Sequence, residues 1–173
     1  MSKPRAMTKS ALERAALAYL GRFAASAQSL RRVLIRRAER AAPAAGGASA
    51  EAVAMVDELI SRFQSSGLLD DRLYAGTKSR ALLRRGRSAW AIRQHLADKG
   101  VAAETIDEAL GDLSAEAGGD AELAAALACA RRRRLGPFRP AGTRRANRLR
   151  DLAALGRAGF SWDTARAVID GAD

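Results

Sequence analysis

The chain has 173 residues, of which 48% are hydrophobic and 5% aromatic, and its 30 Lys and Arg exceed its 19 Asp and Glu for a net charge of +11. This length predicts one or two domains with a true core. No apolar run reaches transmembrane length, which argues against a membrane protein. The single cysteine, Cys129, excludes an internal disulfide and fits a reducing cytoplasm. The positive charge favours a polyanionic partner.

Abundant alanine and leucine with few β-branched residues predict an all-α fold. Residues 1–9 form a basic segment with no apolar signal-peptide region, and we expect a disordered tail there. Ser10 begins a capping-box pattern and Ser26 has cap chemistry, so each is predicted to start a helix. The Pro- and Gly-containing segment 41–50 is predicted to be a loop.

The next predicted helix extends from about Ser49 to Ser66 and ends at Gly67, which suits a left-handed C′ position. Asp70 is then predicted to cap a helix whose inward residues include Leu73, Tyr74 and Thr77.

Serine caps recur further along the chain. We expect Ser88 to cap a helix that Gly100 ends, and Ser161 to cap the last helix. Gly118-Gly119 is predicted to be a hinge. Thr143 is predicted to cap the helix that carries Leu149, Leu152 and Leu155 inward.

Two pairs of segments repeat one another. Residues 26–37 align with 88–99, and residues 96–110 align with 155–169, at nearly equal offsets of 62 and 59. A period of this size indicates repeated supersecondary units. We therefore predict an all-α tandem repeat of three three-helix, helix-turn-helix-like units in an elongated protein. The predicted units cover residues 10–67, 68–117 and 118–173.

Basic side chains are the main candidates for a binding site. Residues 72–99 carry eight Lys and Arg against the single acid Asp98. Such a cluster can be a solvated face, but Arg and Lys on adjacent helices can also contact phosphates with little sequence readout. The predicted binding residues in the three units are Arg31, Arg36, Arg80, Arg84, Arg87, Arg93, Lys99, Arg144 and Arg148.

Three further features allow two interpretations each. Trp90 could stack on a base or a partner side chain, but its repeat equivalent at the 59-residue offset is Leu149, which favours core packing. The Asp70-Asp71 pair could serve acid–base chemistry or bind a metal, but helix capping explains it better. His95 is the only histidine, and we expect it at the surface or rim rather than in a catalytic or metal site.

Residues 67–75 resemble the RecX family of recombination regulators, which has a glycine, two apolar residues, Asp-Asp and an aromatic-Ala pair at this spacing. The resemblance continues through Arg85-Gly86, Ile92-Arg93 and Lys99-Gly100-Val101. It ends with residues 157–161, Arg-Ala-Gly-Phe-Ser.

This resemblance implies an elongated, curved protein. It also implies a cytoplasmic, monomeric regulator that binds the RecA recombinase filament on single-stranded DNA. It implies that the protein restrains strand exchange and co-protease activity, and that it is not an enzyme. No membrane, small-molecule substrate, metal or cofactor is expected. The alternative is a general DNA- or RNA-binding helical protein that acts without a recombinase.

Overall fold

The computed structural model describes residues 8–41 and 47–171, and this part of the chain contains helices and no strand. The predicted all-α class is confirmed. Most of the predicted tail and residues 42–46 of the predicted loop lie outside the described residues. The α-helices are α1 Lys9–Leu20, α2 Ala27–Ala41, α3 Ala50–Ser65, α4 Asp71–Arg84, α5 Ala89–Asp98, α6 Ala103–Glu116, α7 Ala121–Arg133, α8 Ala141–Arg157 and α9 Trp162–Asp170, with a 3₁₀ turn at Gly136–Phe138.

By packing, the chain forms two compact units. The first contains residues 1–74 and 99–101, and the second contains residues 75–98 and 102–173. The boundaries of the three predicted sequence units stay a prediction. In the first compact unit, Leu12 of α1, Leu30 and Leu34 of α2 and Val56 of α3 form an aliphatic core. In the second, a core cluster joins α7, α8 and α9 through small and aliphatic side chains.

Hydroxyl caps start several helices where the sequence predicts them. The side chains of Ser26, Ser49, Ser88 and Ser161 each accept a hydrogen bond from the backbone N–H three residues later. The predicted cap at Ser10 is wrong, because Thr8 accepts from the Ala11 N–H at 3.2 Å and starts α1 two residues earlier.

The predicted cap at Thr143 is also wrong. The eighth helix begins at Ala141, directly after Pro140, and the Thr143 hydroxyl donates back to the Pro140 carbonyl at 2.9 Å. Thr143 therefore lies inside the first turn, where its hydroxyl satisfies a carbonyl instead of a helical N–H.

Three residues that are predicted to face inward on α4 and α8 are exposed in the structure, whereas the predicted inward residues Leu152 and Leu155 of α8 are buried. In α4, Tyr74, Ala75 and Ser79 are buried, whereas Leu73 is 69% exposed and Thr77 faces solvent. In α8, Leu149 is 73% exposed. Which residues of a helix face inward depends on the neighbours that the helix packs against. An error of one residue in the predicted face therefore assigns an exposed side chain to the core.

The paired carboxylates Asp70 and Asp71 have separate structural roles. Asp70 accepts from the Leu73 N–H at 3.0 Å and so caps α4, as predicted. Asp71 instead accepts from the Ala27 N–H at 2.8 Å, at the start of α2. Both carboxylates thus satisfy helix N-termini, which leaves no acid–base pair.

Asp70→Ala should lower the free energy of unfolding by roughly 0.5–2 kcal/mol, because the N-cap hydrogen bond is lost. Asp70→Ser should cost little, because a serine hydroxyl can accept the same bond. Chemical denaturation followed by circular dichroism measures both. Equal destabilisation by alanine and serine would contradict a capping role.

The helix starts at Ser26 and Ser88 are built alike. The buried Ser26 hydroxyl donates to the Lys99 carbonyl at 2.5 Å, and the buried Ser88 hydroxyl donates to the Ala158 carbonyl at 2.7 Å. In both cases the backbone N–H of the following residue donates a hydrogen bond to a carboxylate that is distant in sequence. Ala27 donates to Asp71, and Ala89 donates to Glu122 at 3.0 Å. Burial raises the pKa of Glu122, and the Ala89 hydrogen bond opposes that rise.

Candidate nucleic-acid interface

Two of the five basic residues predicted for the middle of the chain are in ion pairs with acids of α6. Arg80 donates from two nitrogens to the carboxylate of Glu116, and Arg93 pairs with Asp107. The hydrogen bonds between Arg80 and Glu116 raise the pKa of the arginine and lower that of the glutamate. Neither guanidinium presents an uncompensated charge, so the five residues do not form one free basic face.

Three more of the predicted residues are held by neighbouring groups. Arg31 donates to both carboxylate oxygens of Asp57 at 2.6 and 3.2 Å. Arg148 donates to both oxygens of Asp170 at 2.7 and 2.6 Å. Arg144 donates to two backbone carbonyls at 3.1 and 2.9 Å, which hold its side chain against the turn before α8 but do not neutralise its charge.

Four predicted residues remain: Arg36, Arg84, Arg87 and Lys99. Within residues 8–41 and 47–171, none of their side chains is in an ion pair. Lys99 contributes its carbonyl to the first compact unit, whereas Arg87 belongs to the second. Arg87 lines a basic concave surface of the second unit.

This surface, the Trp90 groove, is a cavity of about 400 Å³ whose lining contains no acid. Its polar and aromatic lining residues are Arg87, Trp90, Arg132, Arg133 and Arg157. Its remaining lining residues are Gly86, Ala91, Cys129 and Ala158. The groove thus brings the turn before α5 together with the ends of α7 and α8.

Two glycines at positive φ allow the elements around the groove to approach closely. Gly86, at φ 72°, packs on α7 so tightly that an added Cβ would lie 2.5 Å from the Cys129 nitrogen. Gly159, at φ 90°, lies under Trp90, and its Cβ would come within 2.7 Å of the indole Cε3. The turn carrying Arg87 and the indole are therefore fixed against the second unit's backbone.

The guanidinium groups of the groove keep their charge. Arg132 donates to the Arg85 carbonyl, and Arg133 donates to the Ala154 carbonyl at 3.2 Å. A carbonyl orients a guanidinium but does not neutralise it. Arg87 and Arg157 have no ion pair within the described part of the chain.

The expected core packing of Trp90 is wrong, because its side chain is 57% exposed. The inward positions of α5 are Ala91, Ile92 and Leu96, and residue 90 lies on the outer side of the first turn. Its structural counterpart is Gln28, which contacts Gly100 as Trp90 contacts Gly159. An exposed indole beside several guanidinium groups can stack a base while the arginines contact phosphates.

The binding residues predicted from the sequence do not include Arg132, Arg133 and Arg157. The consecutive arginines Arg131 to Arg134 point around a full turn of helix, so the sequence alone does not say which of them face a partner. Two of them line the groove, because α7 packs against Gly86. Arg157 is distant in sequence and joins them only through the fold.

The described residues give no support for metal binding or for a membrane-spanning helix. They contain no cluster of His, Cys, Asp and Glu suited to a metal ion, and His95 is partly buried on α5. None of their helices combines the length and apolar character needed to cross a bilayer. The fold and the groove define a helical-repeat protein with a groove lined by arginines.

Comparison with known proteins gives the family. The family model that describes the second three-helix domain of RecX matches residues 70–110 of this chain. A regulatory protein RecX from Myxococcus xanthus (strain DK1622) is 46% identical over 169 residues, covering 97% of this chain and 89% of that protein. The chain belongs to the RecX family of regulatory proteins.

Two more relatives carry the same name. The regulatory protein RecX of Halorhodospira halophila (strain DSM 244 / SL1) is 34% identical over 118 residues, which cover 68% of each chain. That of Agrobacterium fabrum (strain C58 / ATCC 33970) is 34% identical over 101 residues, covering 58% of this chain and 51% of that protein. No solved structure matches the chain.

Proposed function

We propose that the protein binds the RecA recombinase filament on single-stranded DNA and restrains strand exchange and co-protease activity. The observation that carries this proposal is the similarity to a regulatory protein RecX along 97% of the chain. In this proposal the protein acts as a cytoplasmic monomer, without a cofactor or small-molecule substrate.

The Trp90 groove supports a direct contact with the DNA strand of the filament. Its arginines offer several positive charges on a surface that lacks acids, and each phosphate neutralised on single-stranded DNA contributes about −0.7 to the log–log salt slope. Trp90 adds a stacking surface that accepts any base. We therefore expect binding with little sequence preference and a steep dependence on salt.

The test is a triple substitution of groove arginines, Arg87→Gln with Arg132→Gln and Arg157→Gln. All three are exposed, and exposed substitutions usually change stability by less than about 0.5 kcal/mol each. We expect the variant to keep the parent's helical spectrum and to lose most inhibition of RecA strand exchange. Its salt slope should flatten by about 0.7 for each phosphate that the variant no longer neutralises.

The matched control removes three exposed arginines of the same unit that do not line the groove: Arg134→Gln with Arg145→Gln and Arg166→Gln. It changes the net charge equally and should inhibit like the parent. Equal loss of inhibition in both triple variants would mean that net charge, and not the groove, decides binding.

The exposed Trp90 also favours a second candidate function, which is binding to single-stranded nucleic acid without a recombinase. Trp90 and Trp162 are equally exposed, at 57% and 58%, so each serves as the control for the other. On adding a bare thymidine oligonucleotide, Trp162→Phe should keep the fluorescence quenching and Trp90→Phe should lose it. Tight binding to bare DNA, unchanged by RecA at matched salt, would favour this second function.

A further inference from the structure

A second concave surface lies between α1 and α2 in the first compact unit. This α1–α2 groove encloses about 1080 Å³ and extends along both helices, from Thr8 to Phe23 and from Val33 to Ala41. Its apolar lining comes from small and aliphatic side chains that follow the helical period on each side, including Ala11, Ala15 and Ala18. The two helices therefore form an elongated trough with an apolar floor.

Arginines border the trough on both sides. Arg14 comes from α1, Arg22 comes from the turn that follows α1, and Arg37 and Arg40 come from α2. The lining contains no acid, and within the described residues none of these four side chains is in an ion pair. The acids of this unit that do form pairs, such as Glu13 with Arg62, do not line the groove.

The aromatic end of the groove differs from the Trp90 groove. Tyr19 and Phe23 pack at 5.2 Å between ring centroids, and the guanidinium of Arg22 lies 5.4 Å above the Phe23 ring. One face of Phe23 is thus covered by a cation of the chain itself. The half-exposed ring is better placed to contact aliphatic side chains than to stack between bases.

We propose that the α1–α2 groove binds an amphipathic helix of a partner protein that carries acidic residues beside its apolar face. The apolar anchors would lie on the alanine and aliphatic floor at the i, i+3, i+4 and i+7 spacing of helix-in-groove recognition. The carboxylates would meet the arginines on both sides. Since α1 is 12 residues long, or about 18 Å, three to four turns of a partner helix fill the groove. This surface shares no lining residue with the Trp90 groove, and the inference goes beyond the proposed function.

The probe is a fluorescein-labelled synthetic peptide on the order of 14 residues, about four helical turns, with leucines on one face and glutamates on the others. The full chain should bind it saturably by fluorescence anisotropy. A peptide of the same composition in scrambled order should bind at least about tenfold more weakly. Equal binding of both peptides would overturn the proposal, because charge alone would then explain it.

A substitution in the floor locates the site. Ala18 lines the groove and is exposed on α1, so Ala18→Glu adds a carboxylate without filling the core. We expect about tenfold weaker peptide binding. The matched control Ala54→Glu, exposed on α3 outside the groove, should bind like the parent. Equal affinity in the parent and the Ala18→Glu variant would overturn the proposal.

Reversing the charge of two groove arginines tests whether they recognise the carboxylates of the peptide. The double variant Arg14→Glu with Arg37→Glu should release the acidic peptide and bind a version in which lysines replace the glutamates. The helical spectrum shows that each variant is folded. If Ala18→Glu instead weakens binding of a thymidine oligonucleotide and leaves the peptide unaffected, the groove binds nucleic acid and the proposal fails.

Discussion

Replacing Arg139 with alanine should destabilise the protein by about 3–5 kcal/mol, because it leaves a buried carboxylate without its cation. Asp151 is fully buried on α8. Arg139 donates to its two oxygens at 2.6 and 2.8 Å, and the Gly136 N–H donates at 2.8 Å. Without Arg139, the Gly136 hydrogen bond alone would support the charge.

The same substitution should change the pH dependence of stability. Burial alone would raise the pKa of Asp151, but the hydrogen bonds from Arg139 and Gly136 outweigh it and hold the pKa below the usual 3.8. The parent therefore has this stabilisation above pH 3.8 and loses it as the pH falls through the lower folded-state value. In Arg139→Ala, burial dominates and raises the pKa, so its deficit should be largest near neutral pH and shrink in acid.

Urea denaturation at several pH values measures both effects. The control is Arg148→Ala, which removes an equally short ion pair whose aspartate, Asp170, has a side chain 36% exposed. Exposed pairs contribute about 1 kcal/mol or less, so this variant should stay near the parent. A similar, pH-independent loss of stability in both variants would show that burial of Asp151 does not set the cost.

Leu34→Ala and Leu96→Ala should each lower the free energy of unfolding by about 2–5 kcal/mol. The sequence repeat assigns them the same position, and both are 0% exposed. Leu34 packs in the core of the first compact unit, and Leu96 lies on the inner side of α5. Each truncation removes buried methyl groups and leaves a cavity that tightly packed helices fill only in part.

Thermal and chemical denaturation check this prediction. Leu149→Ala is the matched control, since the same truncation at a side chain that is 73% exposed should cost less than about 0.5 kcal/mol. An unchanged melt for Leu34→Ala or Leu96→Ala would contradict the repeat register.

Helix starts and ends are predictable from the sequence where the chemistry is local. A serine cap needs only the backbone N–H three residues later, which is why the predictions at Ser26, Ser88 and Ser161 are correct. Likewise, Gly67 and Gly100 do adopt positive φ, at 72° and 76°. Where two hydroxyl residues are close together, as at Thr8 and Ser10, local chemistry leaves the choice open.

The candidate site is less predictable, because it depends on packing between distant segments. Whether a basic side chain is in an ion pair depends on acids that are distant in sequence. Arg80 pairs with Glu116 at a separation of 36 residues, and no sequence-spacing rule predicts that pair. The 59-residue offset equates Trp90 with Leu149 and predicts burial for both, yet both face solvent. The arginines around Trp90 come from three separate stretches, at residues 87, 132–133 and 157.

The two similar helix starts at Ser26 and Ser88 affect where the chain can be divided into fragments. The α1–α3 segment depends on later residues: a carboxylate at Asp71 for its Ala27 amide and a carbonyl at Lys99 for its Ser26 hydroxyl. A fragment ending near residue 69 would leave both groups unmatched, although it contains all three helices. A fragment that keeps both hydrogen bonds must therefore extend at least to Lys99, in the stretch 99–101 that belongs to the first compact unit. Ending an expressed fragment between the first two predicted units would therefore remove the two acceptors that the start of α2 needs.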